Sequence, residues 1–199
     1  MPDPSLPEPS LRERRRAETT QQIADAAVDL ALENGWNAVT VDEIAARAGI
    51  SRRTFFNYFA TKDEALFHNT MAWRPELLQE FHDSPLPLAD ALEALFERQV
   101  ESETHDRDRA LQLMGLVETS PELLPGLLVR MAAVEDALAR AIAARGADEF
   151  TARTVAAVAG AVLRVSGSTW LSGLQPDLLT STRAAWAALR TLTDHRSDV

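Results

Sequence analysis

The sequence contains no cysteine, so disulfides, thiolate zinc sites and cysteine nucleophiles are excluded. The absence also fits a reducing compartment. Cations are in the minority: 20 Lys and Arg face 30 Asp and Glu, a net charge of −10. That balance argues against a protein that coats nucleic acid regardless of sequence. It leaves room for a small cationic footprint, because contact-range fields depend on local charge. Long apolar runs are missing too. The longest, "VAAVAGAVL" at Val155 to Leu163, is closed by Arg153 and Arg164 and falls well short of the roughly 20 residues a membrane helix needs. "MPDPSLPEPS" at the start is Pro-rich and acidic, with no apolar segment of a signal peptide behind it. There is no Gly-rich phosphate loop, no His-Glu-x-x-His and no nucleophile elbow, and His68, His82, His105 and His195 are scattered. No metal, cofactor or membrane partner is therefore expected, and a soluble, cytoplasmic protein is.

What remains is helical. The 199 residues make one large domain or two small ones. No period-2 alternation marks a strand, and no 20–50-residue repeat is present. Residues 1–9 hold four prolines and read as a disordered tail. Ser10-Leu11-Arg12-Glu13 then has the form of a capping box, and Ile23, Ala27, Leu30 and Ala31 form one helical face that ends at Asn34-Gly35. Thr40-Val41-Asp42-Glu43 and Thr61-Lys62-Asp63-Glu64 are two further capping boxes, and Gly49 and Ser51 stand between them as a turn and a cap. Residues 40–60 thus read as helix, turn, helix. Further helices are predicted at about 62–81 with a break at Arg74-Pro75, then about 87–103, 106–118, 122–145, 148–172 and 178–193. The expected fold is all-α, with about nine helices: a helix-turn-helix head and a larger C-terminal bundle.

The stretch "ISRRTFFNYFATK", Ile50 to Lys62, has three cations, four aromatics and no carboxylate. On a helical wheel Phe55 and Phe59 share one side, fit to anchor the helix. Arg53 and Asn57 lie opposite, with Arg52, Thr54 and Phe56 on the flanks. Arg suits guanine O6 and N7, Asn suits adenine, and Thr suits a thymine methyl or a phosphate. Lys62 and Tyr58, the single lysine and the single tyrosine, suit phosphate oxygens. The arginines at 12–16 would add phosphate or minor-groove contacts from a flexible arm. Phe56 fits either a core edge or an exposed contact.

Thr40 to Leu66, "TVDEIAARAGISRRTFFNYFATKDEAL", resembles the helix-turn-helix signature of TetR/AcrR-family transcriptional regulators. It matches at Thr40, Val41, Ile44, Ala45, Ala48, Gly49, Ser51, Thr54, Tyr58, Phe59, Lys62 and Leu66. The resemblance implies DNA contacts at Thr40, Arg52, Arg53, Thr54, Phe56, Asn57, Tyr58 and Lys62. Arg52, Arg53, Thr54 and Asn57 would face bases, and Thr40, Tyr58 and Lys62 would hold phosphates. The chain departs from the pattern where Phe56 replaces a Tyr, Phe55 a Leu or Ile, and Trp36 a Phe or Tyr. The domains expected are a tail at 1–9, a DNA-binding head at 10–66 and a ligand-binding and dimerisation domain at 67–199.

The resemblance also implies a homodimeric repressor on an inverted-repeat operator, released by a small molecule. Small residues line the last two helices, and the interface is expected at Ala156, Gly160, Leu163, Gly167, Ala185, Trp186 and Leu189, with an ordinary internal core as the alternative. The effector pocket is expected among Trp73, Phe81, Phe96, Met114, Val117, Met131 and Trp170, a set that favours an apolar or aromatic ligand. A helix from Lys62 to about Met71 would couple effector to operator. The rival readings are a helical apolar-ligand-binding or scaffold protein without DNA binding, and a helical-bundle enzyme.

Overall fold

The computed structural model describes residues 10–68, 72–102 and 106–194. The 1–9 tail, the Glu13 side chain, Met71, His105 and His195 lie outside the described residues. Among those described there are ten α-helices and no strand: α1 (Leu11–Asn34), α2 (Val41–Arg47), α3 (Arg52–Phe56), α4 (Lys62–Leu66), α5 (Pro75–Asp83), α6 (Leu88–Glu101), α7 (Arg107–Thr119), α8 (Leu124–Ala144), α9 (Glu149–Leu171) and α10 (Leu178–Asp194). Single 3-10 turns stand at Trp36–Ala38 and Pro121–Leu123. Two helices are shorter than the periodicity predicts. α3 stops at Phe56, with Asn57 as its C-cap. The segment expected to be helical over 62–81 yields α4, which ends at Leu66, and α5, which opens with Pro75 in its first turn.

The chain divides into two compact units. The first comprises residues up to 71 together with 112–130, and the second comprises 72–111 and 131 onward. The head is therefore not one continuous stretch, because the end of α7 and the start of α8 group with it.

In the head unit α1 buries Ile23, Ala24, Ala27, Leu30 and Ala31, and α2 buries Ile44 and Ala45. Thr40 and Glu43 form a complete capping box: the Thr40 oxygen accepts from the Glu43 amide and the Glu43 carboxylate accepts from the Thr40 amide at 2.8 Å. Ser51 caps α3 and Thr61 caps α4. Here Glu64 reaches one residue further back, to the Ala60 amide at 2.8 Å. Gly35 and Gly49 adopt φ of 76° and 68°, the left-handed turns that end α1 and separate α2 from α3. Phe55 and Phe59 are buried with ring centres 5.9 Å apart, as their spacing predicts.

In the second unit Leu77, Phe81, Ala91, Leu92, Leu95, Phe96, Leu138, Ile142, Ala152, Ala156, Ala159, Val162 and Trp186 belong to one core. Phe96 packs between Trp73 (5.0 Å) and Trp186 (5.3 Å, edge to face). The Trp73 indole N–H donates to the Val134 carbonyl at 3.1 Å. α10 is tied to α6 by Arg183 on Glu97 and by Arg190 on Asp90 and Glu93.

Several of the residues expected at the interface and in the pocket fall in or beside this core. Ala156 and Trp186 are buried inside their own chain, at 0% and 5% exposure, so neither belongs to a free dimer face. Leu163, Ala185 and Leu189 are partly buried against the same core, and Gly160 and Gly167 are half-buried. A run of small residues permits close packing without saying which side is covered from within. Phe81 and Phe96 are likewise buried, at 3% and 0% exposure. Trp170 is buried, Trp73, Val117 and Met131 are half-buried, and Met114 is exposed. Met114 and Val117 group with the head unit and the other five candidates with the second.

α9 also exceeds what its apolar run suggests. Its 23 residues have a mean hydropathy of 1.2 over the most apolar stretch, long and apolar enough to cross a membrane by length and composition. Only 28% of that stretch is buried. Phe150, Val158 and Val165 stand exposed on it.

Candidate nucleic-acid interface

The face of the head around α3 brings together most of the residues singled out in the sequence. Arg52, Arg53, Phe56 and Asn57 are exposed, and Thr54 and Tyr58 are half-buried. Arg53 has no hydrogen-bond or ion-pair partner among the described residues. Its guanidinium is available to a ligand. The Thr54 hydroxyl lies 2.8 Å from that of Ser51, and the two are hydrogen-bonded at the start of the helix. Asn57 is exposed just past the end of α3 rather than on its regular face.

Arg52 is held. One of its terminal nitrogens donates to the Asp42 carboxylate at 2.7 Å, and its guanidinium carbon lies 5.6 Å from the Phe56 ring centre. Asp42 was not among the expected site residues. Ten positions separate it from Arg52, across the Gly49 turn, and only the fold makes them neighbours. Phe56 is 47% exposed, which settles its place on the open face, and its ring stands edge to face with buried Phe55 at 5.4 Å.

The arginines of 12–16 do not form a loose arm. They lie on the first turns of α1, and Arg16 stacks over the Tyr58 ring at 5.0 Å. Leu11, Arg12, Arg15, Arg16 and Thr19 face Thr54, Asn57 and Tyr58 across an open groove of about 610 Å³. Among the described residues three guanidinium groups and no carboxylate line it, a chemistry that favours an anion.

Thr40 and Lys62 are partly committed elsewhere. The Thr40 hydroxyl donates to Glu43 at 2.8 Å, and the same contacts, first from the Thr40 hydroxyl and then from its amide, hold the Glu43 carboxyl below the usual range. The Lys62 ammonium donates to the carbonyls of Trp36 (3.1 Å) and Val39 (2.8 Å). Two of its three N–H groups are thereby used, leaving one for a phosphate. Behind the face, Arg47 of α2 grips Glu33 of α1 with two bonds of 3.0 and 2.7 Å, and that hydrogen bonding pulls the Glu33 carboxyl down.

A helical head with a Gly turn before a short capped helix, cationic on its open face, defines a helix-turn-helix DNA-binding protein. Comparison with known proteins gives the family. Residues 23–68 match the profile of the TetR family of bacterial regulatory proteins, and residues 86–194 match the MftR C-terminal domain. The transcriptional regulator TcmR of Streptomyces glaucescens is 34% identical over 196 residues, covering 92% of this chain and 87% of that protein. The regulator MftR of Mycobacterium tuberculosis is 33% identical over 189 residues, covering 92% and 93%. A TetR regulator from Nitrosomonas europaea shares the fold, with a TM-score of 0.55 at 18% identity, covering 87% of this chain and 97% of its own. The chain belongs to the TetR family. It is a transcriptional regulator with an N-terminal DNA-binding domain, and not an enzyme.

Proposed function

We infer that the protein is a cytoplasmic homodimeric repressor that binds an inverted-repeat operator and is released by an apolar or aromatic small molecule. In this reading residues 10–66 bind DNA and 67–199 serve pairing and sensing. Arg52, Arg53, Thr54 and Asn57 face bases, with Phe56 beside them. Thr40, Tyr58 and the remaining N–H of Lys62 meet phosphates.

The observation that carries the pairing is the uncovered apolar side of α9. Phe150 is 81% exposed, Val165 50% and Val158 41%, and Ala184, Ala187 and Ala188 are exposed on α10. A monomer rarely keeps such a surface. A second copy covers it better than a membrane does, because Arg153 and Arg164 are exposed on the same helix. One head reads few base pairs, and two heads read half-sites about 34–36 Å apart or a multiple of that. For the effector, Trp73 and Met131 remain as half-buried candidates, since Phe81 and Phe96 are filled core. Release requires that the effector bind the DNA-incompetent state better, with a coupling of about 1–3 kcal/mol. α4 ends at Leu66, so the coupling does not run along one continuous helix to Met71.

Sedimentation of the wild type and of Val165→Arg tests the pairing. The wild type is expected to run as a dimer and the variant as a folded monomer. Equal masses for both would remove α9 from the interface.

A further inference from the structure

Arg52 and Arg53 are adjacent in sequence and treated differently by the fold. Arg53 has no partner among the described residues. Arg52 is fixed from two directions: the Asp42 carboxylate of α2 accepts from it at 2.7 Å, and the Phe56 ring, one helical turn on, lies 5.6 Å from its guanidinium carbon. The side chains of Arg52 and Asp42 are 59% and 65% exposed. An ion pair that open adds little to stability. Its effect falls instead on where the guanidinium points.

We propose that Asp42 and Phe56 are positioning residues that preset Arg52 to read a guanine, giving the head its preference at one base pair of each half-site. This rests on the reading of the head as a sequence-specific reader. The donor arithmetic permits it. A guanidinium has five N–H groups, Asp42 takes one, and two of the others suffice for guanine O6 and N7. The phenyl ring adds a cation–π contact as a second restraint on where the guanidinium lies. A side chain ordered beforehand loses less freedom on binding, so more of the pairing energy appears as discrimination. Asp42 has a second consequence. A carboxylate on a face that meets phosphates opposes binding to any DNA, and it prevents Arg52 from serving as a general phosphate contact.

The test uses the full chain and selection of bound DNA from a random pool, followed by competition with sites changed at one base pair. Wild type, Asp42→Asn, Phe56→Leu, Arg52→Ala and the Asp42→Asn/Arg52→Ala double variant are compared, with thermal melts to show that each is folded. Arg52→Ala should reduce the preference for guanine at one symmetric pair of positions by ~5–150-fold, the range of a bidentate base contact. Asp42→Asn and Phe56→Leu should each reduce it at those same positions by ~3–10-fold. Binding of random-sequence DNA by Asp42→Asn should be as tight as wild type or tighter. Adding Asp42→Asn to Arg52→Ala should change the base preference no further, whatever it does to binding of random-sequence DNA. If wild type enriches an inverted repeat and both positioning variants keep its full preference at every position, the positioning role falls and the reading of the head stands. A loss with Asp42→Asn that persists in the Arg52→Ala background also overturns it. If wild type enriches no sequence, the reading of the head falls and the positioning role falls with it.

Discussion

Lys62 sits on Trp36: its ammonium lies 4.4 Å from the centre of the indole and donates to the Trp36 carbonyl oxygen at 3.1 Å. A second bond to the Val39 carbonyl, at 2.8 Å, makes this lysine a strut between the start of α4 and the turn that leads into α2. Lys62→Met keeps the stem and removes the charge, and should cost about 1–3 kcal/mol of folding stability. Urea denaturation measures it. The same variant should flatten the salt dependence of DNA binding by about one unit of slope, through the phosphate that the third N–H would hold.

Phe96 separates a filled core from an open pocket. It is fully buried between Trp73 and Trp186. Phe96→Ala should therefore destabilise the second unit by about 3–5 kcal/mol, seen as a lower urea midpoint at unchanged slope. A loss below about 1 kcal/mol would indicate that the ring lines space and not core.

Two glycines in neighbouring helices should respond in opposite directions. A Cβ on Gly126 of α8 would lie 3.2 Å from the Asp63 Cβ of α4, an atom that cannot swing aside. Gly126→Ala should cost about 1–3 kcal/mol through overpacking. Gly115 in α7 has nothing within 4 Å of the same position, so Gly115→Ala should gain up to about 1 kcal/mol from helix propensity. Thermal melts of the two variants make the comparison.

His68 gives the head a pH dependence. Burial, and then the Arg130 guanidinium, push its imidazole below the ordinary histidine value. Arg130 also donates to the His68 carbonyl at 2.8 Å, and the Phe59 ring packs edge to face at 5.1 Å. Below the ordinary value the unfolded chain takes up a proton more readily than the folded one. Stability should thus be full above about pH 6.5 and fall as pH drops through that value toward the lower folded one. His68→Phe should flatten this part of the stability profile, as read from urea midpoints across pH 5 to 8.

Local signals carried far in this sequence, and their limit is distance. The capping box at Thr40 and Glu43, the Ser51 cap and the positive φ of Gly35 and Gly49 depend on residues within a few positions, and each stands where the pattern puts it. The inward pair Phe55 and Phe59 follows from one helical turn. Helix lengths did not follow so well. A wheel drawn to Phe59 continues the apolar spacing past Asn57, where the backbone has already left the helix. Lys62 read as a free cation because its partners, Trp36 and Val39, are 26 and 23 residues back. Asp42 reads in sequence only as part of the Thr40 capping box, because Arg52 lies ten positions on. Small residues on α9 and α10 announced close packing, but Ala156 and Trp186 turn to their own chain and leave Val158 and Val165 outside. Contacts across the fold, not composition, decide such cases.

The most direct measurement is selection of DNA bound by the full protein from a random pool. The account predicts enrichment of an inverted repeat whose half-sites lie one helical turn, about 34–36 Å, or a multiple of that apart. Arg53→Ala should weaken that sequence by about 1–3 kcal/mol while leaving stability within about 0.5 kcal/mol of wild type. A pool that remains random after repeated rounds, with the protein folded throughout, would contradict it.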